Sequence, residues 1–377
     1  MSATVENWRT PPHNIWAFQN VDKLITTHTI PKSDDPSPLK EEHKSFDTFT
    51  LQQQDSSSSP LDFPAFLSHT NTDGLVILHK GAIAYEYYAN GNTATSKHIL
   101  MSMSKSLTGL VAGILASQGK LDLTAQVKKY VPTASKLYDN VTVQEVLDMR
   151  TGVKYDDNTH AYRAAAGWNP LHGNEEAKTL HSFIEQLDGE VDEKRGFNYS
   201  SVNTDLLGWI LEAASGRGLA ELIGEVLWKP MGAESEAWVT VDSEGSPRAA
   251  GGVCATVRDV ARVGQLIAEG GRGLVPKTWI EDMLHKGSAE AWANGPFAKF
   301  FEGLLGSAPA YRDCWYSGDM KGEVLMALGI FGQQLIVDVE NEIVMAKTSS
   351  MEVPLQVEKT RLQTAAFEEV KRVLLGS

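Results

Sequence analysis

The sequence predicts a two-lobed α/β protein: one antiparallel sheet flanked by helices, built from both ends of the chain, and an all-α lobe built from its middle. Three observations carry that expectation. The chain has 377 residues, about two domains' worth. Strand-like runs occur near both ends, and the segment between them is dominated by helical periodicity. Because sheets seldom leave strand edges unpaired, the early and late strands are expected to pair with each other. The sheet lobe is accordingly placed at residues 1–104 and 240–377, and the all-α lobe at 105–239.

Residues 31–60 are rich in Ser, Asp, Pro and Lys and end in Ser56-Ser57-Ser58-Ser59-Pro60, which reads as a surface loop or wrapping arm with little to bury. Leu75 to Leu78 and Ala82 to Tyr88, separated by His79-Lys80-Gly81, read as a hairpin. From Ser102 to Gln118 the only charge is Lys105, and Gly119 follows as a stop signal; a helix apolar on all sides belongs in the interior. Val141 to Met149, Thr179 to Leu187 and Asp205 to Ala214 read as amphipathic helices. Asp259 to Ala268 reads as another, stopped at Gly270-Gly271. Val324 to Val337, a Glu340-Asn341-Glu342 turn and Ile343 to Thr348 read as paired strands, and Glu358 to Leu375 as a closing helix.

Composition narrows the function. Hydrophobic residues at 42% and charged residues at 22% match folded globular proteins and exclude a disordered, collagenous or coiled-coil chain. A net charge of −14 with no basic run repels polyanions, so no nucleic-acid partner is expected. No apolar run approaches the roughly 20 residues of a spanning helix, so no membrane partner is expected either. Residues 1–18 carry Trp, Asn, Glu and two prolines instead of a basic patch and an apolar stretch, and a cytoplasmic location is the expectation. Cys254 and Cys314 stand outside any C-x-x-C pair and read as buried thiols. The ten histidines show no metal-ligand spacing, and neither a metal nor another cofactor is assigned.

G-x-S-x-G, H-E-x-x-H, G-x-x-x-x-G-K-[ST] and a strand-borne G-x-G-x-x-G are all missing from the sequence, which disfavours nucleophile-elbow hydrolases, zincins, P-loop enzymes and dinucleotide binders. S-x-x-K occurs at Ser37–Lys40, Ser102–Lys105 and Ser117–Lys120. The first lies in the Pro-rich arm and the third straddles the Gly119 stop. Only Ser102–Lys105 opens a buried helix, where i and i+3 share a face and the amine reaches the hydroxyl. For Lys105 to act as a base, its pKa must fall from about 10.4. Burial against Leu107 and Leu110 and the positive helix end lower it by roughly 3, at a cost of about 4 kcal/mol. The alternative is a lysine that reaches water or a carboxylate and leaves Ser102 as an N-cap.

Tyr199, in the loop Phe197-Asn198-Tyr199-Ser200-Ser201 before a helix, can project a phenol into a cleft and shuttle protons; taken alone, it reads first as an ordinary tyrosine at the edge of the core. Ala327-Leu328-Gly329-Ile330-Phe331-Gly332 puts glycines in a strand, either for close approach of a ligand carbonyl or for a bulge. An N–H on that strand together with that of Ser102 would make an oxyanion hole.

Ser102-Met103-Ser104-Lys105, then Tyr199, then the Gly329 strand resemble in order and spacing the serine β-lactamase, penicillin-binding protein and esterase superfamily. Further matches are Gly119-Lys120-Leu121-Asp122, Tyr130-Val131-Pro132, Leu147 to Gly152, and Gly251-Gly252 with Asp259. The opening Trp8 to Phe18 and the stretch Phe197 to Asp205 are similar to the nylon-oligomer hydrolase branch. The resemblance implies a β-lactamase-like two-lobed fold with Ser102 as nucleophile, Lys105 as base and Tyr199 as proton shuttle. It also implies an oxyanion hole from the Ser102 and Ile330 N–H groups and substrate contacts at Ser201, Gly329, Trp315 and Tyr162. The usual Tyr-x-Asn reads Tyr199-Ser200-Ser201. The usual Lys-Thr-Gly or His-x-Gly reads Ala327-Leu328-Gly329, without the cation that grips a β-lactam carboxylate. A position polar in the nylon-oligomer branch is Ala250.

The expected function is hydrolysis of a small-molecule amide or ester with a linear acyl group, through a Ser102 acyl-enzyme. Acyl transfer to an alcohol or amine of a secondary metabolite, and a non-catalytic binding protein of the penicillin-recognising type, are the competing readings. A homodimer is compatible with the sequence.

Overall fold

The computed structural model describes residues 2–53, 58–173, 178–306, 308–320 and 322–376; Ser56 and Ser57 of the Ser-rich run lie outside them. Its centre is an eight-stranded sheet ordered Ala310–Arg312, Trp315–Asp319, Glu323–Gly329, Gln333–Asp338, Ile343–Ser349, Thr72–His79, Ala82–Tyr88 and Lys40–Glu41. Every pairing is antiparallel except the last, where the arm adds Lys40–Glu41 parallel to Ala82–Ile83. The two ends of the chain meet where Val344 faces Leu78 and Ala346 faces Val76.

Successive residues of a strand point to opposite faces. Val76 and Leu78 therefore join one core with Val337, Val344 and Ala346, while Leu75 and Ile77 join a second with Phe63, Phe66, Met345 and Phe367. Helix Val257–Ala268, capped by Thr256 accepting from the Asp259 N–H, covers the first face. Gly264 lets it approach closely, since a Cβ there would lie 2.4 Å from Val344. Helices Phe63–His69 and Val357–Leu375 supply the second core. With both faces covered, these strands read as continuous apolar runs.

The middle of the chain is helical, with Val143–Leu147, His160–Ala165, Leu180–Glu185 and Ser201–Ser215. The expectation of an all-α middle needs correcting in two places: Val153–Lys154 pairs with Glu190–Val191, and Ala237–Thr240 enters a second, four-stranded sheet with Thr27–Ile30, Val253–Ala255 and His98–Ile99. Strands of two to four residues are too short to display a period. The hairpin joining Ala310–Arg312 to Trp315–Asp319 was also missed by periodicity. Arg312 faces Trp315 across a two-residue turn whose Asp313 and Cys314 both have positive φ, 52° and 67°. Asn-Gly is the usual spelling of such a turn. Here tertiary bonds hold it, as the Asp313 N–H donates to Asp148 Oδ1 (3.1 Å) and the Cys314 N–H to the Leu147 carbonyl (3.1 Å).

That turn presses on the helix Met103–Ser117, buried from Met103 to Leu115, at Gly109, where a Cβ would stand 2.3 Å from the Asp313 carbonyl oxygen and 2.9 Å from Cys314 Cβ. Gly109→Ala should destabilise the protein by about 1–3 kcal/mol through overpacking, despite alanine's better helix propensity. Denaturant unfolding checks this, and an unchanged or raised midpoint would show that the turn yields.

Candidate active site

The helix Met103–Ser117 begins immediately after Ser102, and the residue before it, Met101, is forced into the left-handed region (φ 49°). Such a backbone persists only where its surroundings hold it. Ser102 occupies the N-cap position without using its side chain as a cap, so its hydroxyl is left for other partners. One turn on, Lys105 is 1% exposed. Its Nζ lies 3.0 Å from Ser102 Oγ, 3.1 Å from Ser201 Oγ and 2.8 Å from the Ala250 carbonyl oxygen. Burial brings the Lys105 pKa down to about 8, with Asp157 opposing the fall and Arg248 adding to it. The amine thus neither reaches bulk water nor sits against a carboxylate.

Ser201 begins the helix Ser201–Ser215. Asp157 fixes its approach by accepting from the Ser201 N–H and from Ser200 Oγ (3.0 Å). Asp205, one turn further along, is buried and accepts from the Ala250 N–H (2.8 Å), Tyr162 Oη (2.5 Å) and Arg248. Asp205 thus holds the backbone at Ala250 through its N–H, and the Ala250 carbonyl, in the next peptide unit, takes the third bond from Lys105. The adjoining glycines fit close quarters, since a Cβ on Gly252 would fall 2.3 Å from Thr240 Oγ1.

Tyr199 presents its ring to the Lys105 amine, 4.8 Å from the centroid. Burial pushes its phenol well above the ordinary value of 10, and the phenol shares hydrogen bonds with Ser102 and Tyr316; it remains protonated at neutral pH. Gly329 is extended (φ −131°, ψ 147°) and packs against Leu100, whose carbonyl oxygen would lie 2.5 Å from an added Cβ. This close approach brings Ile330 alongside the Ser102 loop. Phe331, directly after it, has a left-handed backbone (φ 63°) pinned by its N–H to the Pro354 carbonyl (2.9 Å). A strained residue therefore adjoins each of Ser102 and Ile330. Among the described residues no protein acceptor takes the Ser102 N–H.

These groups open into a cavity of about 360 Å³ that Ser102, Tyr199, Ser201, Gly329 and Ile330 all line. Aromatic and apolar side chains, Trp168, Phe297, Phe300, Tyr316 and Leu328, form one part of its walls, and Arg9, Arg163, Arg248, Asp156 and Asp157 form a charged part. Two sequence-derived substrate contacts fall elsewhere. Trp315 is fully enclosed behind the helix Met103–Ser117, its Nε1 donating to the Ser106 carbonyl (3.1 Å). Tyr162 is fully buried with its hydroxyl spent on Asp205 and its ring under the Arg248 guanidinium at 4.3 Å; its neighbour Arg163 lines the cavity instead. Ala327, 1% exposed, belongs to the hydrophobic core.

Motif reading overlooked Asp157, Asp205, Arg248 and Tyr316. For Asp205 a signal existed, because it stands at i+4 from Ser201 on the same helix face. Asp157 and Arg248 lie in loops with no period to mark them. Among the described residues no helix is long and apolar enough to cross a membrane, and no group of three His, Cys, Asp or Glu is placed to hold a metal ion.

Residues 66–367 match the Beta-lactamase family model. The chain is 32% identical over 385 aligned positions to 6-aminohexanoate-dimer hydrolase of Paenarthrobacter ureafaciens, covering 98% of this chain and 94% of that one. A Bacillus anthracis structure provisionally named 6-aminohexanoate-dimer hydrolase superposes with a TM-score of 0.90 at 23% identity, covering 100% of this chain and 99% of that one. The class C β-lactamase of Rhodobacter sphaeroides superposes at 0.59 with 14% identity, covering 82% and 98%. A family match over most of the chain, joined to a nearly full-length hydrolase relative, makes this chain a serine hydrolase belonging to the β-lactamase family.

Proposed function

We propose that the protein hydrolyses amides or esters of small linear acyl groups through an acyl-enzyme on Ser102, with Lys105 as general base and Tyr199 as proton shuttle. The enclosed contact of 3.0 Å between Lys105 Nζ and Ser102 Oγ carries the reading. A neutral amine has two N–H donors and one lone pair. The Ala250 carbonyl can only accept, so it takes one donor, and Ser201 Oγ takes the other. The lone pair then faces the Ser102 hydroxyl, the geometry in which lysine removes a proton.

As Ser102 Oγ bonds to the substrate carbonyl carbon, its proton passes to Lys105, and the carbonyl oxygen becomes an oxyanion facing the Ser102 and Ile330 N–H groups. Tyr199 gives its proton to the departing nitrogen or oxygen as the scissile bond breaks, and is reprotonated from Lys105. Water then attacks the Ser102 ester and the same groups run in reverse, releasing a carboxylic acid. Support for a linear acyl chain comes from the apolar side chains of Phe297 and Leu328 in the cavity wall and from the name of the 32% identical relative. The core position of Ala327 leaves no cation on that strand to hold a β-lactam carboxylate.

Ser102→Ala should lower turnover of a short-chain p-nitrophenyl ester roughly ten-thousandfold and remove the acyl mass increment seen on the intact protein; turnover surviving in this variant would sink the mechanism. Tyr199→Phe should cost about a hundredfold or more in acylation, read by stopped-flow release of nitrophenol. The acylation rate of the wild type should climb with pH through about 8, because the basic form of Lys105 is the active one; a climb only near pH 10 would contradict a depressed lysine.

Lys105 also penalises stability. Its folded pKa of about 8 lies below its ordinary 10.5, so the buried ammonium costs about 3 kcal/mol below pH 8, and the cost fades as pH rises toward 10.5. Lys105→Met should therefore raise Tm near pH 7 while abolishing acylation, with the gain shrinking at alkaline pH. A pH-independent or negative change would show that the lysine's hydrogen bonds outweigh its burial.

A further inference from the structure

The catalytic cavity is lined by three guanidinium groups, Arg9, Arg163 and Arg248. Arg248 is neutralised by the buried Asp205. Arg163 donates to Asn158 Oδ1 (2.8 Å) and feels the loop carboxylates Asp156 and Asp157, of which Asp157 is already engaged by Ser200 and the Ser201 N–H. Arg9 is the anomaly. Among the described residues its one side-chain hydrogen bond goes to a neutral amide oxygen, that of Asn169, and no carboxylate of these residues stands among the groups that act on it, whereas Arg163 and Arg248 do. Burial first, and those two cations next, bring its pKa down to about 10.

Arg9 is held there by design of the N-terminal segment. Trp8 is fully buried, its Nε1 donates to the Trp168 carbonyl (3.1 Å), and its ring meets Trp168 edge-on at 5.2 Å. The Arg9 guanidinium lies over both rings, 5.3 Å from Trp8 and 5.8 Å from Trp168, while Arg248 stands 5.1 Å from Trp168. Arg9 is half-buried; a cation in that position beside like charges, with no carboxylate paired to it among the described residues, is stabilised by a ligand that brings the missing charge. A planar guanidinium fork matches a carboxylate.

We propose that Arg9 and Arg163, on the Trp168 side of the cavity, form a subsite for a carboxylate carried by the substrate. The substrate class is then an amide or ester with an anionic end, recognised on a different wall from the Gly329 strand. This inference rests on the hydrolase reading for its substrate and on the arginine geometry for its location.

The test compares p-nitrophenyl butyrate with two carboxylate-bearing esters, p-nitrophenyl monoglutarate (charge on the acyl side) and para-butyryloxybenzoate (charge on the leaving side). Wild type should show a lower KM for at least one charged ester than for the neutral one. Arg9→Gln and Arg163→Gln should each reduce that ratio about tenfold, and Arg163→Lys should restore part of it; thermal melts establish that each variant is folded. Calorimetric titration with glutarate, which requires no turnover, should show binding to wild type that weakens in the same variants. Absence of any charged-ester preference together with no glutarate binding, or a preference that survives both Gln variants, overturns the subsite. Turnover persisting in Ser102→Ala would instead overturn the acyl-enzyme reading, while glutarate titration still decides the arginines.

Discussion

A lysine side chain enclosed in the protein, bonded to two serine hydroxyls and one carbonyl, sets the terms for everything around it. Lys105 would be a surface cation on almost any other helix. The apolar interior helix Met103–Ser117 removes it from water, and the Ala250 carbonyl, Ser201 and Ser102 give the amine partners that do not restore a full counter-charge. In the proposed mechanism desolvation makes it a base and the hydrogen bonds aim it. The nearest carboxylates are busy elsewhere: Asp157 with Ser200 and Ser201, Asp205 with Arg248, Tyr162 and the Ala250 amide. Occupied in this way, they shape the loops around the lysine without pairing directly with it.

The architecture serves that arrangement. The helix bearing Ser102 and Lys105 lies between the strand Glu323–Gly329 and the helix Ser201–Ser215, so Ser102, the Tyr199 loop and the Gly329 strand arrive from three separate parts of the chain. Rigid elements with fully packed cores on both faces of the sheet locate them, and two left-handed residues, Met101 and Phe331, absorb the local strain at the places where the backbone must turn into the cavity.

Much of this could be read from the amino acids. The Ser102–Lys105 spacing, the single charge in a long apolar run, and the strand at Gly329 are local signals, and the structure places Ser102 and Gly329 in the lining of one cavity with Lys105 bonded to Ser102 beneath it. The hairpin Thr72–His79 with Ala82–Tyr88 was equally visible, through its apolar runs and Gly81. What remained hidden depends on tertiary partners. The turn at Asp313-Cys314 takes positive φ without Gly or Asn because Asp148 and Leu147 hold it. Trp315 and Tyr162 carry cavity-like side chains, yet their polar tips are consumed by Ser106 and Asp205. Nothing in the local pattern around Arg9 announces that Trp8 will carry it across the molecule to Trp168.

The central pairing of Thr72–His79 with Ile343–Ser349 has a consequence for biosynthesis. A ribosome releases the early hairpin long before its neighbour strand exists, leaving an apolar edge open during most of elongation. Ile330 likewise emerges near the end of translation, so an emerging chain carries Ser102 without the strand that completes its cavity. Completion of the sheet thus closes a sticky edge and assembles the reaction centre in one late event, and a truncated product lacking the final strands would be inert and prone to aggregate.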